Sequence, residues 1–242
     1  MTEQAFGRRD FLKTAVVGGA AAATTGIPQP QSAHAQQPAA AAPAPSAAPA
    51  MEGYAFLNLE EAAFVEALVD HMVPADDLSP KGTDLGINIY IDRALAGAWG
   101  QGDRLYMQGP WKKGVPNQGY QLPLTPAQLY RAGIAATNAH CAKTYGKTFD
   151  RIDETQREAV LVALSTGKLT FDGGLPTGPF WGTLYQTVME GMFADPIYGG
   201  NRNKAGWRML GFPGAIAVHR EHVVKFRDKP FPNDPVGIAD MS

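Results

Sequence analysis

Three short stretches of this chain, Asn58-Leu59-Glu60-Glu61, Thr125-Pro126-Ala127-Gln128 and Asp153-Glu154-Thr155-Gln156, restrict the fold more than any other feature. Each sets a side-chain acceptor three residues ahead of Glu or Gln. That spacing lets the cap residue and the third helical residue satisfy each other's otherwise orphaned backbone N–H groups. Pro126 strengthens the second start, because its missing N–H costs nothing at the first helical position. Apolar residues then recur every three or four positions. Phe64, Leu68 and Met72 run up to Pro74. Leu129, Ala132, Ala136, Ala139 and Ala142 run to Tyr145, with Gly146 as the stop. Val160, Leu161 and Leu164 lead to Gly167. The Ala-rich side of the middle segment predicts close packing against another helix. Two further helices lack a capping box but keep the period. One starts near Asp84 and carries Ile87, Ile91, Leu95 and Ala98, with Tyr90, Ala94 and Trp99 widening the stripe before Gly100. The other has Pro179 in its first turn and Phe180, Leu184, Val188 and Met192 on its buried side. Alternating strand-like runs are scarce. The fold class is mainly α, a single helical domain with long ordered loops rich in Gly, Pro and aromatics.

Two of those loops carry more aromatic surface than a solvated connection needs. Residues 101–123 hold Tyr106, Trp111 and Tyr120, and a structureless loop of roughly 20 residues in a compact domain is usually functional or covered. The second runs through Asp195-Pro196-Ile197-Tyr198-Gly199-Gly200-Asn201 to Gly211-Phe212-Pro213-Gly214 around a short helix at 204–210. Gly199-Gly200 can turn tightly or approach another surface closely. Asn201 is expected to cap the short helix, Gly211 to end it, and Pro213 to prevent its restart. Tyr198, Trp207 and Phe212 supply rigid apolar area of the kind enriched at protein interfaces. The alternative is that these aromatics fold into the core. Trp111, Tyr120, Tyr198, Gly199, Gly200, Asn201, Trp207 and Phe212 are the candidates for a partner interface.

The front of the chain reads as an address. Arg8 and Arg9, followed by Phe11 and Leu12, form a twin-arginine core. A mildly apolar run follows, then Ala33-His34-Ala35 as a small-residue cleavage site. Residues 1–35 are the expected signal peptide, 36–53 an Ala/Pro-rich linker, 54–214 the helical domain and 215–242 a C-terminal extension. The twin-arginine route moves folded cargo, often cargo loaded with a cofactor inside the cell. Yet the chain has no G-x-G-x-x-G opening a helix, no C-x-x-C-H and no H-E-x-x-H. A signal for folded export on such a chain suggests that the cofactor belongs to a partner exported with it.

Other chemistry is poorly supported. The net charge is −2, and −3 once the signal is removed, which argues against nucleic acid. The single cysteine, Cys141, excludes an intrachain disulfide and a Cys-rich metal site, and reads as a small buried side chain. His219 and His222 share a helix face, but Arg220 and Lys225 beside them disfavour a cation, so a solvated face is expected. His71 and His140 fall inside helix patterns as satisfied side chains. Asp76, Asp77, Asp92 and Glu61 offer carboxylates without a visible pairing, and no G-x-S-x-G surrounds Ser79 or Ser165. No catalytic, cofactor-binding or metal residues are assigned.

The loop motifs also carry a resemblance. Ile91-Asp92-Arg93, Gly119-Tyr120-Gln121 ahead of Leu124-Thr125-Pro126, the Asp195–Asn201 motif, Gly206-Trp207 and Gly211-Phe212-Pro213-Gly214 closely resemble the gluconate 2-dehydrogenase subunit 3 family. The resemblance implies a small, non-catalytic subunit of a membrane-bound dehydrogenase for gluconate or a related sugar or sugar acid. Its partners would be a large FAD-containing subunit, a multi-haem cytochrome c with c-type haem, and the twin-arginine translocase. Its place would be the periplasm, peripheral to the inner membrane. An independent periplasmic enzyme, perhaps metal-dependent, and a small-ligand-binding module are the competing readings.

Overall fold

The computed structural model describes residues 53–241 except 113, 116, 117, 217, 232 and 233. The expected signal residues Arg8, Arg9, Phe11 and Leu12, the cleavage residues Ala33 and Ala35, and nearly all of the linker lie outside the described residues. Seven α-helices are present among those described: α1 Leu59–Met72, α2 Ile87–Ala96, α3 Pro126–Tyr145, α4 Glu154–Ser165, α5 Thr177–Phe193, α6 Ala205–Leu210 and α7 Arg220–Lys225. Short 3-10 turns occupy Phe149–Arg151, Pro196–Tyr198, Arg202–Lys204 and Ile238–Met241. The described residues form no strand, only one isolated parallel bridge between Gly214 and Val236. No described helix is long and apolar enough to cross a membrane.

All three capping boxes form where the sequence places them. Asn58 Oδ1 accepts from Glu61 N at 2.9 Å while Asn58 N donates to Glu61 Oε2 at 3.0 Å. Thr125 and Gln128 make the same exchange at 2.9 and 3.3 Å, and Asp153 and Gln156 at 2.9 and 3.2 Å. Each box satisfies two donors that the helix start would leave bare.

Helix α5 runs through the middle, packed against α2, α3 and α4. Its Phe180, Leu184 and Val188 are fully buried, among Ile87, Ile91, Leu95, Tyr130, Ile134 and Leu164. Phe180 sits edge-on to Tyr130 and Phe171, with ring centroids 6.4 and 6.0 Å away. Phe64 of α1 meets Phe149 at 4.7 Å. Burying a side chain of this size contributes about 1.5–3 kcal/mol, so each of these rings is a substantial part of the cohesion of the domain.

Helix α3 packs on a different side from the one its alanines suggest. Ala132 and Ala136 are half-buried, while Ala139 and Ala142 are exposed. The buried stripe is Tyr130, Gly133, Ile134, Thr137, Asn138 and Cys141. The reason is local: the Phe180 ring occupies the space a side chain at 133 would need, with an added Cβ only 2.2 Å from its atoms. Close approach thus comes from one glycine rather than from the alanines. Asn138 is held there by Glu60 at 3.0 Å and by the Phe149 N–H at 3.1 Å. Helix α2 is also shorter than its apolar pattern, ending at Ala96 with Gly97 as its cap, so Ala98 and Trp99 lie in the turn beyond it.

Asp92, one of the unassigned carboxylates, has a structural role. It is buried and accepts from three successive backbone N–H groups, Ala55 at 2.7 Å and Phe56 and Leu57 at 2.9 Å. The segment entering α1 is thereby tied to α2.

Candidate partner-binding face

At the end of α5 the chain turns sharply through the glycine–aromatic motif. Asp195 starts the turn, its Oδ1 accepting from Ile197 N at 3.0 Å. Gly199 has φ +103°, a left-handed conformation that favours glycine. Gly200 rests on the α5 backbone; an added Cβ would lie 2.2 Å from the carbonyl oxygen of Gly191. Asn201, with φ 47°, is fully buried. It does not occupy the position directly before the short helix, although its side chain accepts from a first-turn N–H of that helix. Lys204 occupies that position with no side-chain cap, and Asn203 and Lys204 are themselves left-handed. Instead the Asn201 amide spans the loop, donating to Ala194 O and accepting from Gly206 N, both at 2.9 Å. Trp207 is also buried, 5% exposed, and its Nε1 donates to Phe193 O at 2.7 Å. Gly211, with φ +66°, ends α6 as the sequence predicts.

The same motif divides into a buried support and an exposed rim. Gly200, Asn201 and Trp207 form the support. Ile197, Tyr198, Leu210 and Phe212 form the rim, 46–61% exposed, with Phe212 edge-on to Trp207 at 5.3 Å. The C-terminal extension returns to brace this region from outside. Ala215 N donates to Val236 O at 2.7 Å, and Val236 N to Pro213 O at 3.1 Å. Ile238 N reaches the second oxygen of Asp195 at 2.8 Å. Lys204 pairs with Asp240, whose carboxyl it holds below the usual range.

A second aromatic cleft, of about 690 Å³, is lined by Trp111, Val115, Tyr120, Leu122, Pro176 and Pro179, among others. Trp111 and Tyr120 are half-buried. The Tyr120 hydroxyl donates to Leu124 O at 2.5 Å, and burial pushes its phenol up to about 12. Tyr106, on the same loop, is 78% exposed.

The model of the family described as gluconate 2-dehydrogenase subunit 3 matches residues 59–214, more than half of the chain. The chain belongs to that family. Searches of curated proteins and of solved structures find no significant match. The name makes this gluconate 2-dehydrogenase subunit 3 member a subunit of a multi-subunit dehydrogenase. The family match contains both aromatic regions and stops at Gly214, where the C-terminal brace begins.

The remaining polar candidates do not converge. His71 Nε2 lies 2.8 Å from Glu158 Oε2. His219 and His222 are exposed on α7 and its cap, their Nδ1 atoms 3.4 Å apart beside Phe226 and Phe231. Among the described residues no group of three or more His, Cys, Asp or Glu gathers as a metal site would require. Cys141 is free and buried, its thiol pushed up to about 11 by that burial. Sequence reasoning missed Ile197 and Leu210 on the rim and Val236 in the brace. The first two look like ordinary core residues in a string of letters, and Val236 acts only through its backbone.

Proposed function

We propose that this chain is a non-catalytic accessory subunit of an FAD-dependent dehydrogenase of the gluconate 2-dehydrogenase type, acting on a sugar or sugar acid. It grips the large flavin-bearing subunit, assists its folding and stability, and carries it through the twin-arginine translocase to the periplasmic side of the inner membrane. There a multi-haem cytochrome c receives the electrons. One observation carries this reading: within the family-matched region, apolar and aromatic side chains at Ile197, Tyr198 and Phe212 stand exposed on a support of buried, hydrogen-bonded residues. Rigid, apolar and preformed is what a stable subunit contact uses, since little ordering entropy remains to be lost on binding. The Trp111 and Tyr120 cleft is a second candidate contact. In this reading FAD belongs to the large subunit, which carries the redox chemistry, and this chain contributes binding surface.

The test removes this chain from cells that express the flavin subunit. The expected result is flavin subunit stranded in the cytoplasm, and the same result when Arg8 and Arg9 are both changed to Lys. A periplasmic, fully active flavin subunit in the absence of this chain overturns the reading.

A further inference from the structure

The Pro196–Tyr198 turn and α2 enclose a shallow groove of about 310 Å³, lined by Tyr90, Arg93, Ala94, Ile197 and Tyr198. Its walls are apolar except at Arg93. A second arginine, Arg202, lies beside the same turn just outside the groove lining, and two glycines show how closely the pair approaches it. At Gly199 an added Cβ would lie 2.8 Å from Arg93 Nη1, and at Gly86 one would lie 2.8 Å from Arg202 Nε and 2.4 Å from Gly199 O. Both guanidinium stems therefore lie across bare backbone on either side of one turn. Neither forms an ion pair with a described carboxylate, although both are exposed. Glu190 of α5 is already taken, accepting from the Tyr90 hydroxyl at 3.0 Å and from Gln186 at 2.7 Å. On a chain of net negative charge, two unpaired arginines flanking an apolar groove are an uncompensated local feature.

We propose that this groove receives an acidic segment of the flavin-bearing subunit, with one apolar or aromatic side chain seated between Ala94 and Tyr198 and carboxylates meeting Arg93 and Arg202. The assignment rests on the accessory-subunit reading and adds to it the chemistry of the contact. The planar guanidinium presents a fork that fits a carboxylate with two hydrogen bonds, and packing against the glycines limits the freedom of each side chain before binding. The two parts of the groove make different kinetic contributions. Charges at a rim steer association and make it salt-dependent, whereas an anchor in an apolar pocket mainly sets the dissociation rate.

The experiment immobilises the full chain and measures binding of the purified flavin subunit by surface plasmon resonance across a salt series. For Arg93→Glu with Arg202→Glu, association is expected to slow at least tenfold and its salt dependence to reverse sign, while Arg93→Lys with Arg202→Lys keeps the association rate and its salt dependence within a few-fold of wild type. For Ala94→Trp, which fills the groove, and for Tyr198→Ala, dissociation is expected to speed up at least tenfold with association little changed. Arg93→Gln with Arg202→Gln serves as the charge arm if the reversed pair fails to fold. Neutralised or reversed arginines that leave the salt dependence intact, or a filled groove that leaves dissociation unchanged, overturn the proposal while the accessory-subunit reading stands. A wild-type chain that does not bind the flavin subunit sinks that reading and this proposal with it.

Discussion

Replacing Asn201 with Ala tests whether the buried amide holds the glycine–aromatic motif in shape. The side chain donates to Ala194 O and accepts from Gly206 N, both at 2.9 Å, across a loop that must otherwise rely on backbone turns. Alanine leaves both groups without partners. An abandoned buried donor or acceptor costs about 1–3 kcal/mol. Gly206 is buried and takes the full loss, while half-buried Ala194 regains some hydration. The backbone adds to this: φ is 47° and ψ 42°, a left-handed conformation that Asn tolerates and Ala resists by about 1 kcal/mol. The expected total is about 4 kcal/mol, or a melting temperature lower by roughly 8–16 °C for a domain of this size. Asn201→Gly separates the two contributions. It loses the same hydrogen bonds but relieves the backbone, so it should be more stable than the alanine variant by roughly 0.5–1 kcal/mol. Urea unfolding followed by circular dichroism gives both differences, and hydrogen exchange at the Gly206 N–H reports the local one. An alanine variant within about 1 kcal/mol of wild type, with Gly206 still protected, refutes the bridging role.

Three other outcomes are expected. Asp92→Ala releases the Ala55, Phe56 and Leu57 N–H groups and should cost about 3 kcal/mol, since only Leu57 is fully buried; Asp92→Asn, keeping one acceptor oxygen, should recover part of that in the same urea assay. Gly133→Ala drives a methyl into the Phe180 ring and should destabilise by about 1–3 kcal/mol, with Phe180→Leu in the same chain restoring part of the loss. Burial pushes the phenols of Tyr54 and Tyr120 up to about 12, so the folded state holds their protons more tightly than the unfolded chain. Their contribution to stability should be complete below pH 10 and lost as pH rises through 12, read as a fall in the urea midpoint over that window.

The sequence discloses helix starts far better than it discloses what faces what. Asn58, Thr125 and Asp153 act within four residues of themselves, so local letters suffice to place them. The side on which α3 packs depends on Phe180, nearly fifty residues downstream, and alanine is compatible with either side of a helix. Trp207 and Tyr198 were expected on one surface. The structure buries the first and exposes the second, because the indole N–H has a carbonyl within reach at Phe193. The C-terminal brace is joined at Ala215 and Val236 through main-chain atoms, which leave no pattern in a sequence. Arg93 and Arg202 are far apart along the chain, and only the two glycines between their stems reveal them as neighbours.

The Gly200–Gly191 contact joins one main chain to another. Peptide geometry, rather than the fit of side chains, therefore sets the height of the turn above α5. Substitutions at Ile197 or Tyr198 can alter the chemistry of the rim without moving its footing. A lineage that holds these two glycines constant is free to retune its choice of companion one outward-pointing residue at a time, with folding left largely untouched.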